Sequence, residues 1–129
     1  MKRFALLLLF IVSFSCFADN ALLKKTEPKI VVAVLNYDFG RFSKKQIKSV
    51  VVRVWNKGNA PLVLENVTAS CGCTKLKWTK APIMPGQLGY IRITFDGRYL
   101  DKGRFNKEVH ITSNTPTRYH RFFINGELY

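Results

Sequence analysis

Cys71 and Cys73, separated by a single glycine, are the side chains whose types and spacing could do chemistry in this chain. Two thiols so placed can form a mutual disulfide, cycle between dithiol and disulfide, or donate two soft sulfurs to a metal. In an extended strand, residues two apart have Cα atoms about 7 Å apart, the outer limit of disulfide geometry. A mutual bond therefore needs Gly72 to fold the segment into a tighter turn, and ring strain would leave that bond easily reduced. As metal ligands the pair suffices for copper(I) but supplies only half of a tetrahedral zinc site. His110 and His120 would have to complete the zinc site from other strands, or a second chain would. Against these readings stands simple packing, or a structural bond, because cysteine is among the most buried residue types. No cofactor is expected.

The elements that position this pair follow from composition and periodicity. At 129 residues, 47% hydrophobic and 22% charged, with Gly 8 and Pro 5, the chain is too apolar for disorder and long enough for one compact core. No heptad pattern, solenoid repeat or apolar run of about 20 residues occurs. From residue 29 onward the dominant period is two. Residues 29–35 form a β-branched run, Val50, Val52 and Val54 alternate with Val51, Arg53 and Trp55, and Ile91, Ile93 and Phe95 alternate with Tyr90, Arg92 and Thr94. Leu62 and Leu64, then Val67 and Ala69, give two half-registers around Glu65-Asn66, which predicts a bulge or a corner between sheets. Leu76 with Trp78, Phe105 with Val109 and Ile111, and Phe122 with Ile124 complete about seven strands.

Turn chemistry separates these runs. Asn56-Lys57-Gly58-Asn59 links two strands, Met84-Pro85-Gly86-Gln87 has the Pro and Gly of a type II turn, and Asp96-Gly97 and Lys102-Gly103 bracket a longer loop. The spacing predicts an all-β, immunoglobulin-like antiparallel β-sandwich. Its expected interior is Val52, Val54, Leu62, Leu64, Ile91, Ile93, Phe95, Val109, Ile111, Phe122 and Ile124, whose parity matches an inner sheet face.

The N-terminus carries an address. Lys2 and Arg3 form a positive n-region, residues 4–14 an apolar stretch too short to span a bilayer, and Cys16 and Ala18 place small residues at the −3 and −1 positions of a signal-peptidase site. The expected organisation is a signal peptide over 1–18, an N-terminal segment over 19–28 and the sandwich over 29–129, with export to the periplasm or cell envelope. Cleavage would leave Cys71 and Cys73 as the only cysteines, in a compartment where thiols oxidise. The competing cut precedes Cys16 and would leave it lipid-modified. Ser15 suits that cut, whereas Ser13 stands where a bulky aliphatic residue is usual. The mature chain is expected to contain no transmembrane helix.

Removing Lys2 and Arg3 takes the formal net charge from +13 to +11. In an exported protein such a charge fits an acidic partner protein or an envelope polyanion, or serves solubility alone, as the cations are scattered and form no run. No specific nucleic acid and no small-molecule substrate is expected. Catalytic constellations are absent: there is no Gly-rich phosphate loop, His-Glu-x-x-His helix or Gly-x-Ser-x-Gly elbow, and the acidic residues are isolated, so a non-enzymatic role is expected. His110 and His120 are read as outward-facing strand residues. Trp55 and Phe123 also have outward parity, and beside Arg53 and Arg121 they form the candidate contact surface.

The succession Asp38-Phe39-Gly40, Asn56-Lys57-Gly58-Asn59-Ala60-Pro61-Leu62, Cys71-Gly72-Cys73-Thr74, Pro82-Ile83-Met84-Pro85-Gly86, Gly103-Arg104-Phe105-Asn106-Lys107, Ser113-Asn114 and Ile124-Asn125-Gly126 resembles the bacterial family catalogued as domain of unknown function 1573. Cys-Gly-Cys-Thr and the Pro-Gly turn a dozen residues later are its most specific elements. The resemblance implies a small immunoglobulin-like sandwich of the Gram-negative envelope, exported or lipid-anchored, and no known reaction. This chain departs from the pattern in being unusually basic. A non-catalytic module acting through protein or polyanion contacts is the leading functional expectation, with a thiol redox or copper(I)-handling protein as the alternative.

Overall fold

The computed structural model describes residues 24–129, in eight strands. They are β1 (Ile30–Val32), β2 (Asn36–Phe42), β3 (Ile47–Asn56), β4 (Leu64–Ala69), β5 (Thr74–Trp78), β6 (Leu88–Asp96), β7 (Gly103–Ser113) and β8 (Tyr119–Leu128). Two four-stranded sheets result, ordered β1-β3-β6-β5 and β2-β8-β7-β4. Every pairing is antiparallel except that of β2 with β8, which is parallel. The expected signal peptide and Cys16 lie outside the described residues. Among the described residues no helix is long and apolar enough to cross a membrane.

Alternation along each strand produces the interior. All the residues expected there are buried, joined by Phe42, Val67, Ile83, Phe105 and Leu128. At one end the core is aromatic: Phe95 and Phe105 stack with centroids 4.3 Å apart, and Phe42 meets both edge-on at 6.0 Å. The other end is tied by Asn56, a fully buried amide. Its Nδ2 donates to the carbonyls of Ala60 and Ile83 at 2.7 and 2.8 Å, and its Oδ1 accepts from the Gly58 amide at 2.9 Å. The 57–60 loop and the segment before β6 are thereby fastened to β3. The turn at 84–87 forms as its residues predict, with the Gln87 amide bonded to the Met84 carbonyl and Gly86 at φ 78°.

The strand count is eight rather than seven, and the additional strand is β2. Residues 29–35 are not one strand. Ala33 still donates to Arg53 of β3, but the Leu35 carbonyl already accepts from Phe123 of β8, so the chain changes sheets between them. In β2 the period is broken by a bulge between Asp38 and Arg41, where Gly40 takes φ 75°. Tyr37 and Phe39 face inward before the bulge and Phe42 after it, a shift that period two does not follow.

The register shift expected near Glu65-Asn66 is present in β4, although the crossing to the other sheet comes later, at 70–73. His120 is a second correction. It shares the parity of Phe122 and Ile124, is half-buried, and sits 3.0 Å from the Thr115 hydroxyl. Burial holds its pKa below the usual histidine value, opposed by a hydrogen bond to the Thr117 backbone.

Candidate functional site

Cys71, Gly72 and Cys73 occupy the corner where the chain leaves β4 in one sheet and enters β5 in the other. The Thr74 amide bonds the Cys71 carbonyl at 3.2 Å, a four-residue turn that brings the two cysteine Cα atoms to 5.1 Å. That is inside disulfide range, and the two sulfurs are bonded. The corner is pinned on both sides, with the Asp96 amide donating to the Cys73 carbonyl at 2.8 Å and the Ser70 amide to the Glu108 carbonyl at 3.0 Å. Both cysteines are half-buried, and Cys73 packs against the core.

The bond leaves no free thiolate for copper(I) or zinc. His110 stands on β7 opposite Thr68 and His120 on β8, and among the described residues no three His, Cys, Asp or Glu gather in metal-binding range. Polar contacts of the sulfurs stay within the corner itself, from the Cys73 amide at 3.2 Å and the Thr74 hydroxyl at 3.6 Å. These surroundings give the redox reading no support. The corner reads as a structural clamp.

Its energetic weight is small, because closing a ring this short removes little entropy from the unfolded chain. Cys71→Ser combined with Cys73→Ser is expected to lower stability by no more than about 2 kcal/mol, read from urea midpoints, with the fold intact. Loss of the folded state would assign the corner a far larger share of the fold.

The contact residues divide between two surfaces. Arg53 and Trp55 project from β3 on the outer face of the β1-β3-β6-β5 sheet, whereas Arg121 and Phe123 project from β8 on the opposite face of the sandwich. The structure therefore does not bring the four together. On the β8 side charges are balanced: Glu108 lies 3.0 Å from His110 and 3.8 Å from Arg121, and Glu127 lies 4.0 Å from Arg41. A shallow cavity of about 580 Å³ on that face is likewise of mixed sign, with Asp38 and Glu127 beside Arg41 and Arg104.

Around Arg53 and Trp55 the composition differs. Register places Val31, Trp55 and Leu88 in one cross-strand row, Arg53 and Tyr90 in the next, then Val51, Arg92 and Lys77, then Thr94 and Lys75. Trp55, Leu88 and Tyr90 are 40%, 48% and 42% exposed, and the Lys57 ammonium stands 3.7 Å from the centre of the Trp55 ring. Among the described residues Arg53, Arg92, Lys75 and Lys77 hold no ion pair. Parity alone singled out Arg53 and Trp55. Their neighbours Arg92, Lys77, Tyr90 and Leu88 are joined to them by strand register, for which the sequence carries no local signal.

The sheet edges are ill suited to accepting an added strand. β1 is three residues long, β2 and β4 are bulged, and β5 carries Lys75 and Lys77 along five residues. Faces rather than edges are this molecule's presentable surfaces.

Several solved structures share the fold. A protein of unknown function from Porphyromonas gingivalis W83 superposes with a TM-score of 0.73 at 19% identity, covering 84% of this chain and 51% of that one, so the chain spans about half of that protein. The PapD-like domain 7 of human CEP192 gives 0.66 at 12% identity, over 82% of this chain and 89% of that domain. The periplasmic chaperone SfaE gives 0.57 at 9% identity, covering 78% and 58% of the two chains. No curated protein matches the chain. At these identities the likeness is one of fold: an all-β sandwich of PapD-like, immunoglobulin-like type. Residues 30–128, from the first strand to the last and including the cysteine corner, match a single family, and the chain thus belongs to DUF1573, the proteins of unknown function grouped under that designation.

Proposed function

We propose that the protein is an exported, non-catalytic immunoglobulin-like module of the bacterial cell envelope that acts through its β1-β3-β6-β5 face on an acidic protein surface or an envelope polyanion. The observation carrying this reading is the asymmetry of the two faces. One balances its charges within itself, and the other presents Arg53, Arg92, Lys75 and Lys77 unpaired among the described residues, around exposed Trp55, Tyr90 and Leu88. Arginine and aromatic residues side by side are the composition of binding hot spots, and unpaired cations favour an anionic partner.

Export is supported by the cationic, apolar and small-residue blocks at the N-terminus and by a disulfide, which persists in oxidising compartments. A non-catalytic role is supported by the engagement of the acidic side chains. Glu27, Glu65, Asp96, Glu108 and Glu127 each hold an ion pair on a separate strand or loop, so each is engaged with a cation rather than free for acid and base work.

The test is retention on an immobilised acidic polysaccharide as salt is raised. Arg53→Glu with Arg92→Glu is expected to elute at markedly lower salt than the unaltered protein, while Arg121→Glu, on the balanced face, shifts elution little. Equal shifts for both variants would return the charge to a general solubilising role.

A further inference from the structure

A second basic feature lies at the other end of β3 from Trp55. The turn from β2 into β3, the loop between β6 and β7 and the end of β8 enclose a cavity of about 420 Å³ lined by Ser43, Lys44, Lys45, Arg98, Lys102 and Tyr129. Among the described residues no Asp or Glu lines it. Lys44, Lys45 and Lys102 are three like charges lining one concavity, with only Arg98 offset by a carboxylate, and they repel each other, so solubility alone would be better served by spreading them.

The walls are fixed by backbone bonds. Lys44 donates its amide to the Tyr129 carbonyl at 2.9 Å, Tyr129 donates to Phe42 at 3.1 Å, and Gln46 donates to Ser43 at 2.9 Å. The Ser43 hydroxyl oxygen accepts the Lys45 amide at 3.3 Å and keeps its own proton to give. On the opposite wall Asp96 grips Arg98, with Nε at 2.9 Å from Oδ1 and Nη2 at 2.6 Å from Oδ2. This orients the guanidinium and leaves Nη1 without a partner among the described residues. Lys44, Lys45 and Lys102 hold no ion pair among the described residues.

We propose that this pocket binds a phosphate group, held by the ammonium groups of Lys44, Lys45 and Lys102, the free Nη1 of Arg98 and the hydroxyls of Ser43 and Tyr129. The donors outnumber what a carboxylate's two oxygens can use, and a phosphate offers more acceptor oxygens and more charge. The group can belong to a lipid headgroup or to a soluble phosphorylated compound, since both present the same oxygens. The pocket and the Arg53 face are separate, so the failure of either reading leaves the other standing.

Two probes test the proposal on the purified protein: inorganic phosphate, followed by NMR titration, and vesicles of phosphatidylglycerol in phosphatidylcholine, followed by co-sedimentation. Lys44→Ala with Lys102→Ala is expected to weaken binding at least tenfold. Arg118→Ala with Arg121→Ala removes equal charge from the balanced face, where the two are ion-paired to Glu65 and Glu108, and is expected to change binding less than twofold. With inorganic phosphate, amide shifts are expected to concentrate at 43–46 and 97–102. Binding of inorganic phosphate upholds a soluble phosphorylated ligand, and vesicle binding alone, with the same sensitivity to the pocket pair, upholds a headgroup. Binding of neither probe, or equal weakening by the two pairs, overturns the site. Lys102→Glu alone reads the same outcome should the alanine pair fail to fold.

Discussion

Phe95→Ala is expected to lower the unfolding free energy by about 3–5 kcal/mol, read as a fall in urea midpoint at unchanged slope. Phe95 is fully buried in β6, stacks on Phe105 of β7 at 4.3 Å with planes 10° apart, and meets Phe39 and Phe42 of β2, each at 6.0 Å. Its ring therefore joins the two sheets through three strands. Removing it deletes both the transfer term of a large apolar side chain and the stacking contacts, and the surrounding rings are too rigid to collapse fully into the space. Phe95→Leu keeps much of the volume and is expected to lose less. A loss below about 1 kcal/mol for the alanine variant would show that the two sheets do not depend on this contact.

Asn56→Ala is the second change of large expected effect, about 3 kcal/mol or more, although it removes no apolar surface of note. The amide satisfies the carbonyls of Ala60 and Ile83 and the Gly58 amide, and truncation strips this partner from the Ile83 carbonyl in a buried site and leaves the other two groups unpaired where they are half-buried. Each buried group left unpaired costs about 1–3 kcal/mol. Asn56→Asp is expected to be no better, since a carboxylate has no proton to offer the two carbonyls. Thermal unfolding measures the loss, and faster exchange of the Gly58 amide would locate it. Stability unchanged in both variants would remove Asn56 from its role as the fastening of that end.

These two residues mark what was legible in the sequence and what was not. Phe95 was, because Ile91, Ile93 and Phe95 keep one parity in an unbroken run and the buried side of such a run is its apolar side. Asn56 was read only as turn chemistry, since a polar residue at a strand's end gives no local sign that the backbone groups of Gly58, Ala60 and Ile83 will converge on its side chain. The same limit hid β2: a bulge at Gly40 moves the inward residues from one parity to the other, so the strand does not look periodic. Arg53, Trp55, Arg121 and Phe123 were each correctly outward. Parity separates in from out but does not say which sheet a strand joins, so two opposite faces were read as one surface. The cysteine corner shows the limit differently, because its spacing allowed a bond, a redox couple or a metal site, and only the turn at 71–74 selects the bond.

The parallel pairing of β2 with β8 sets the order in which this chain can become complete. Asn36 lies opposite Phe123 and Phe42 opposite Leu128, so a strand near the beginning of the domain finds its ladder partner only in the final strand. A chain emerging in sequence can assemble β3 with β6 and β5 while β2 waits, its amides and carbonyls hydrated, until β8 arrives. Closing that loop costs entropy before any contact repays it, which places the molecule among slow, cooperative folders. Truncation within β8 would accordingly unseat β2 along with the lost strand, and the aromatic end of the core would open with it.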